Sequence, residues 1–177
     1  ELYVKILNNA IAVAKGEPLP PDKSECLLDI TVDAYIPESY IAEAAGRIEA
    51  YKRIAAVETA EDASDVLDEL IDRYGDIPAS VSGLVDISLI RVLAAQLAIY
   101  EIGQKRDALI LYSDAYTPGG IKAAATALPG SVTLAAGTKP YLSVRLSSQS
   151  DPLSVLRVVL EALKAAKADE TAQSAKE

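Results

Sequence analysis

Residues 59–78 read TAEDASDVLDELIDRYGDIP, and both ends of a helix are written into them. Thr59 is a good N-cap, and Asp62 stands three residues later, where the acid of a capping box belongs. Gly75 can take the left-handed conformation that closes a helix, and Pro78 blocks any continuation. The spacing predicts a helix over 60–74. Ala63, Val66, Leu67, Leu70, Ile71 and Tyr74 fall on one side of it, with Val66, Leu70 and Tyr74 expected in the core.

Outward from this helix the chain divides into a helical half and a strand-bearing half. Towards the N-terminus, 38–57 carries Tyr40, Ile41, Ala44, Ile48, Tyr51, Ile54 and Ala55 at helical spacing, with Gly46 as a possible break. Before it, 27–32 reads as a short strand, 17–25 as a Pro-rich loop, and 2–14 as an amphipathic helix stopped by Gly16 and Pro18. Towards the C-terminus, 78–97 is helical and apolar on more than one side. Two hairpins follow, 99–102 with 108–112 around a polar turn at 103–107, and 132–135 with 141–146. A small helix over 120–128 separates them. A final helix opens at Ser150 or Asp151 with Pro152 in its first turn, and residues 168–177, lacking an apolar stripe, are expected to fray. Helices mostly first and strands mostly later indicate an α+β fold, with helices packed on a small, mainly antiparallel sheet of about five strands. One domain is expected over 1–167.

Composition narrows the chemistry. Of 177 residues half are hydrophobic, 17 are basic and 26 acidic, for a net charge of −9. That balance disfavours nucleic-acid and anionic-membrane surfaces, which need clustered Lys and Arg, and suits a basic partner. With no histidine, Ser-His-Asp and Cys-His nucleophiles are excluded. The single Cys26 cannot form an internal disulfide, and no uninterrupted apolar run reaches the 18 or so residues of a membrane span, so a cytoplasmic location is expected. The chain begins at Glu1 without a methionine, as a piece of a longer protein would. No phosphate-binding loop, EF-hand loop or marked acid/base pair occurs, and Gly119-Gly120-Ile121-Lys122 reads as a turn before a helix. No catalytic residue, cofactor site or metal site is assigned.

One constellation stands apart. Glu58, Glu61, Asp62, Asp65, Asp68, Glu69, Asp72 and Asp76 face a single base, Arg73, and account for −7 of the net charge. On a helical wheel all eight acids fall within about 120°. Like charges at i,i+3 and i,i+4 repel by a few tenths of a kcal/mol per pair. Helix-dipole attraction explains Glu61 and Asp62 but not Asp68, Glu69 and Asp72 near the other end. The face is either a solvated surface or a docking surface for a basic partner.

Three blocks carry a family resemblance: Asp29 to Ile41 (DITVDAYIPESYI), Arg47 to Ile54 (RIEAYKRI) and Glu69 to Pro78 (ELIDRYGDIP). Together they resemble the C-terminal domain of bacterial transcription-repair coupling factors over roughly residues 1–165. The chain departs from the family pattern at Ala42-Glu43-Ala44-Ala45-Gly46, usually richer in Pro, Asp and Gln, and at Ala98, where the family often has Gly. The resemblance implies a parent that is an ATP-dependent double-stranded DNA translocase, displacing stalled RNA polymerase and recruiting the excision-repair protein UvrA. It also implies that ATP and Mg act in motor domains outside this chain. The domain itself would be regulatory and non-catalytic, masking the parent's N-terminal UvrA-binding module and restraining the motor, while its charge balance leads us to expect no direct nucleic-acid or membrane binding. That contact would use the positions matched by Glu69, Asp72 and Arg73, and the acidic arc extends the docking set to Asp65, Asp68 and Asp76. A generic acidic adaptor, a DNA-binding module, and a carboxylate-only hydrolase with two acids about 5–10 Å apart across a cleft are the other readings.

Overall fold

A computed structural model of the chain describes residues 26–176. The expected helix over 2–14 and the loop over 17–25 lie outside the described residues. Among the described residues the order along the chain is β1 (Leu27–Asp29), α1 (Ala44–Ala55), α2 (Ala60–Tyr74), α3 (Ala79–Gln96), β2 (Ile99–Lys105), β3 (Ala108–Ser113), α4 (Pro118–Ala127), β4 (Val132–Ala135), β5 (Tyr141–Arg145) and α5 (Pro152–Ser174). The fold is α+β. The described residues group into two compact units, one over 31–92 and one formed by 26–30 with 93–176.

The first unit is helical. The expected helix over 38–57 is realised only over 44–55, because residues 38–40 form a turn in which the Tyr40 and Ile41 amides both reach back to the Pro37 carbonyl. Arg47 donates to the Ile41 and Ala42 carbonyls, both at 2.8 Å, and so satisfies the groups left bare before α1. Gly46 does not split the helix. A Cβ there would lie 3.0 Å from Ile41 Cγ2 and 3.4 Å from the Tyr74 hydroxyl, so glycine permits the close approach of α1 to the end of α2.

Helix α3 runs from the first unit into the second, and Val81, Leu84, Ile87, Ile90 and Ala94 along it are fully buried. It is long and apolar enough to cross a membrane by length and hydropathy, a property hidden from a search for uninterrupted apolar runs by Ser82, Asp86, Ser88 and Arg91. Half of that window is buried within the protein, as in the core helix of a globular fold.

The second unit holds the sheet, in the order β1-β2-β3-β5-β4, with β1 parallel to β2 and every other pair antiparallel. Register places Leu28, Ile102, Leu111, Leu142 and Leu134 in one row across all five strands, and the first four are buried. The row behind it, on the opposite face, is Leu27, Glu101, Tyr112, Tyr141 and Ala135. The apolar row and the α5 stripe of Leu153, Leu156, Val159, Leu160 and Leu163 supply the core of this unit. Strand β1 ends at Asp29, three residues short of the expected 27–32, and the first hairpin is tighter than expected, with Gly103 to Lys105 inside β2. The tail expected to fray from 168 is helical to Ser174, carried on from the packed half of α5.

Candidate docking face on α2

Helix α2 forms as its sequence dictates. The Thr59 hydroxyl accepts from the Asp62 amide at 3.0 Å, and Asp62 Oδ2 accepts from the Thr59 and Glu58 amides, each at 3.1 Å. Asp62 is therefore a cap, and its carboxylate is committed to the backbone. At the other end Gly75 takes φ 87°, and its amide closes on the Ile71 carbonyl at 2.9 Å. The Tyr40 hydroxyl lies 3.1 Å from both the Leu70 and Gly75 carbonyl oxygens, and its ring meets that of Tyr74 edge-on at 5.8 Å. Burial, then the nearby Asp76 carboxylate, holds the Tyr40 phenol above its ordinary pKa, which keeps it protonated as a donor.

The core side of α2 is narrower than the wheel implies. Leu70 is buried at 5% exposure, Val66 and Tyr74 are only half-buried, and Ile71 stands out at 46%. Ile71 lies on the flank of the apolar arc, beside the acids, and the wheel placed it on the core side. Its exposure is a tertiary fact, since α1 packs against the side of α2 that carries Val66, Glu69 and Leu70.

The structure separates the six residues assigned to docking into two sets. Glu69 is engaged within the domain. Arg53 on α1 grips its carboxylate with both guanidinium nitrogens, Nη1 to Oε1 at 2.7 Å and Nη2 to Oε2 at 2.5 Å. Arg73 approaches the same carboxylate at 3.7 Å from one turn on and lies 5.2 Å over the Tyr74 ring. A charge-assisted, two-pronged pair of this kind fixes geometry as well as charge. Asp65, Asp68 and Asp72 are exposed, and among the described residues no hydrogen bond or ion pair engages their side chains. Asp76 is exposed beyond the C-cap and acts on Tyr40 through its charge. Nothing in the sequence marks Glu69 off from Asp72; the pairing joins helices across 16 residues of chain.

The second unit offers different chemistry. A cavity of about 360 Å³ lies beside α4 and the C-terminal half of α5, floored by Leu97, Ala115, Tyr116 and Leu163, and Glu170 is its one lining carboxylate. Glu170 accepts from the Thr117 hydroxyl at 2.9 Å. On the sheet's other face, Tyr112 stacks with Tyr100 at 6.2 Å and meets Tyr141 edge-on at 5.4 Å, with Lys139 4.2 Å from the Tyr112 ring centre. Lys139 is held by Glu101 at 3.3 Å, which raises its pKa. Among the described residues no three metal-ligating side chains converge.

The sequence model of the TRCF domain matches residues 30–122, a little over half of the chain. The chain belongs to the TRCF domain family. This TRCF domain is 37% identical over 111 residues to the transcription-repair-coupling factor of Bacillus subtilis strain 168, a match covering 63% of the chain and 9% of that protein. It is 38% identical over 106 residues to the transcription-repair-coupling factor of Staphylococcus aureus strain USA300, covering 59% of the chain and again 9% of the relative. The matched part thus spans about a tenth of the length of these coupling factors. In fold, the TRCF domain superposes on a crystal structure of the C-terminal domain of a transcription-repair coupling factor with a TM-score of 0.75. That superposition covers 82% of this chain and 97% of the other at 21% identity. Both departures from the family pattern have structural consequences. Gly46 lets α1 close on Tyr74, and Ala98, in the turn just beyond α3, sits at φ 55° in the left-handed region that favours glycine.

Proposed function

We propose that this TRCF domain is the regulatory interaction domain of a bacterial transcription-repair coupling factor, with no catalysis of its own. The parent would be a cytoplasmic, ATP-dependent DNA translocase acting on stalled RNA polymerase and recruiting UvrA, its ATP and Mg²⁺ handled elsewhere in that protein. The observation that carries the docking reading is the row Asp65, Asp68 and Asp72. These three carboxylates sit on the open side of α2, unused by cap, core or described ion pair. They repel one another, so the arrangement is stabilised by anything basic laid against it.

The partner that the family resemblance supplies is the parent's own N-terminal UvrA-binding module. Docking there would mask the UvrA surface in a closed state, and UvrA would bind only the open fraction. Asp65, Asp68, Asp72 and Asp76 form the contacting face, with Ile71 as an apolar neighbour. Glu69 and Arg73 act mainly by fixing the face to α1. Support against a carboxylate hydrolase comes from placement, since the acids of α2 line an open helix side and the cavity in the second unit holds one acid already bonded to Thr117. The test is to reverse the charge of Asp65, Asp68 and Asp72 together and measure binding to the separately expressed N-terminal module. Weakened binding is expected; unchanged binding removes the docking role.

A further inference from the structure

Helix α5 has two unlike halves. Residues 152–163 bury Leu153, Leu156, Val159, Leu160 and Leu163, whereas no residue from Lys164 to Ser174 is buried. Eleven residues of helix without a buried face are too few to be stable alone in water, where roughly 12–15 are marginal. Within the second unit, two side chains tie this half down. Lys167 Nζ donates to the Gln96 carbonyl at 2.6 Å, and Glu170 Oε1 accepts from the Thr117 hydroxyl at 2.9 Å. Thr117 is the N-cap of α4, its Oγ1 accepting from the Gly120 amide at 3.1 Å, so Glu170 brings a carboxylate to the positive end of that helix. This half forms one wall of the cavity of about 360 Å³, through Lys167 and Glu170, with Leu97, Ala115, Tyr116, Gly120 and Leu163 lining the rest.

We propose that residues 164–174 are a strap that opens independently of the rest of α5, latched by Glu170 to the N-terminus of α4, and that its opening removes one wall of the cavity. The latch in its closed position leaves room only for glycine at 119. A Cβ at Gly119 would collide with the Glu170 carboxylate, whereas that carboxylate is the free end of a flexible side chain and can swing away. The same substitution in any other exposed helical position favours the helix, since alanine is the better helix former. Gly119→Ala therefore separates the two effects by sign, loosening the strap while leaving α4 as firm or firmer.

The experiment is native-state hydrogen exchange on the intact 177-residue chain. In the wild type, amides of 165–174 should exchange roughly a hundredfold faster than those of 156–163, yet slower than an unfolded peptide, as a separate opening unit does. Gly119→Ala should raise exchange in 165–174 by about three- to tenfold, with 121–127 and 156–163 unchanged or slower. Should Gly119→Ala loosen α4 itself, Glu170→Ala decides, with the same rise expected in the strap. Equal protection along the whole of α5, full unfolded-peptide exchange in the wild-type strap, or no response to either variant overturns the proposal.

Discussion

Replacing Glu69 and replacing Asp72 should have opposite consequences, although the two acids sit three residues apart on one arc. Glu69 is 30% exposed and gripped at 2.7 and 2.5 Å by an Arg53 that is half exposed, with Arg73 3.7 Å away. Exposed ion pairs contribute about 0.2–1 kcal/mol, and bidentate geometry with partial burial places this one in the upper part of that range. A double-mutant cycle of Arg53→Ala and Glu69→Ala should return a coupling of about 0.5–1 kcal/mol. Glu69→Lys removes that attraction and sets a third cation beside Arg53 and Arg73, for a total cost of about 1–2 kcal/mol. In a chain of this size that lowers the melting temperature by roughly 2–8 °C. Asp72→Lys breaks no described contact, relieves repulsion with Asp68, and places a cation in the last turn, where the helix dipole welcomes it. It should be neutral or stabilising by up to about 0.5 kcal/mol. Urea denaturation followed by far-ultraviolet circular dichroism, at low and high salt, reads all of these. A coupling below about 0.2 kcal/mol, or Asp72→Lys as damaging as Glu69→Lys, would refute the assignment of Glu69 to the α1–α2 bridge.

Two further expectations concern the backbone at α3 and the end of α2. Ala98→Gly relieves a left-handed alanine and should stabilise the chain by about 0.5–1 kcal/mol, checked by the urea midpoint at unchanged slope. The Tyr40 phenol titrates above its ordinary value of 10.0, so the folded state holds its proton more tightly than the unfolded one. That stability is fully present below pH 10 and is lost as pH rises through the folded value; Tyr40→Phe should flatten this alkaline decline and cost about 0.5–1.5 kcal/mol at pH 7.

What could be read from the sequence was what local chemistry controls. Thr59, Asp62, Gly75 and Pro78 place α2 to the residue, and Ser150 or Asp151 with Pro152 places the start of α5 to within one residue. The hairpins are legible because their pairing is local and their alternation is clean. Features set by distant partners were not legible. The parallel pairing of β1 with β2 joins residues more than 70 positions apart, and β1 stops at Asp29 where that pairing ends. The helical extension over 168–174 has no apolar stripe to announce it, since it is held by Glu170 and Lys167 through partners far back in the chain. At the docking face the sequence revealed the arc of acids but not their division of labour. Cap, bridge and open carboxylate all read as Asp or Glu, and only the position of Arg53 on the neighbouring helix tells them apart.

The most direct measurement is calorimetric titration of this domain, wild type and the combined Asp65→Lys, Asp68→Lys, Asp72→Lys variant, into the parent's N-terminal UvrA-binding module across a salt series. Each exposed charge pair lost is worth about 0.2–1 kcal/mol, and its reversal adds repulsion of similar size. The variant should therefore bind at least about tenfold more weakly at low salt, equivalent to roughly 1.4 kcal/mol, with the difference shrinking as salt screens both. Equal affinity for the two proteins at every salt concentration, with both folded, would contradict docking through the acidic face of α2.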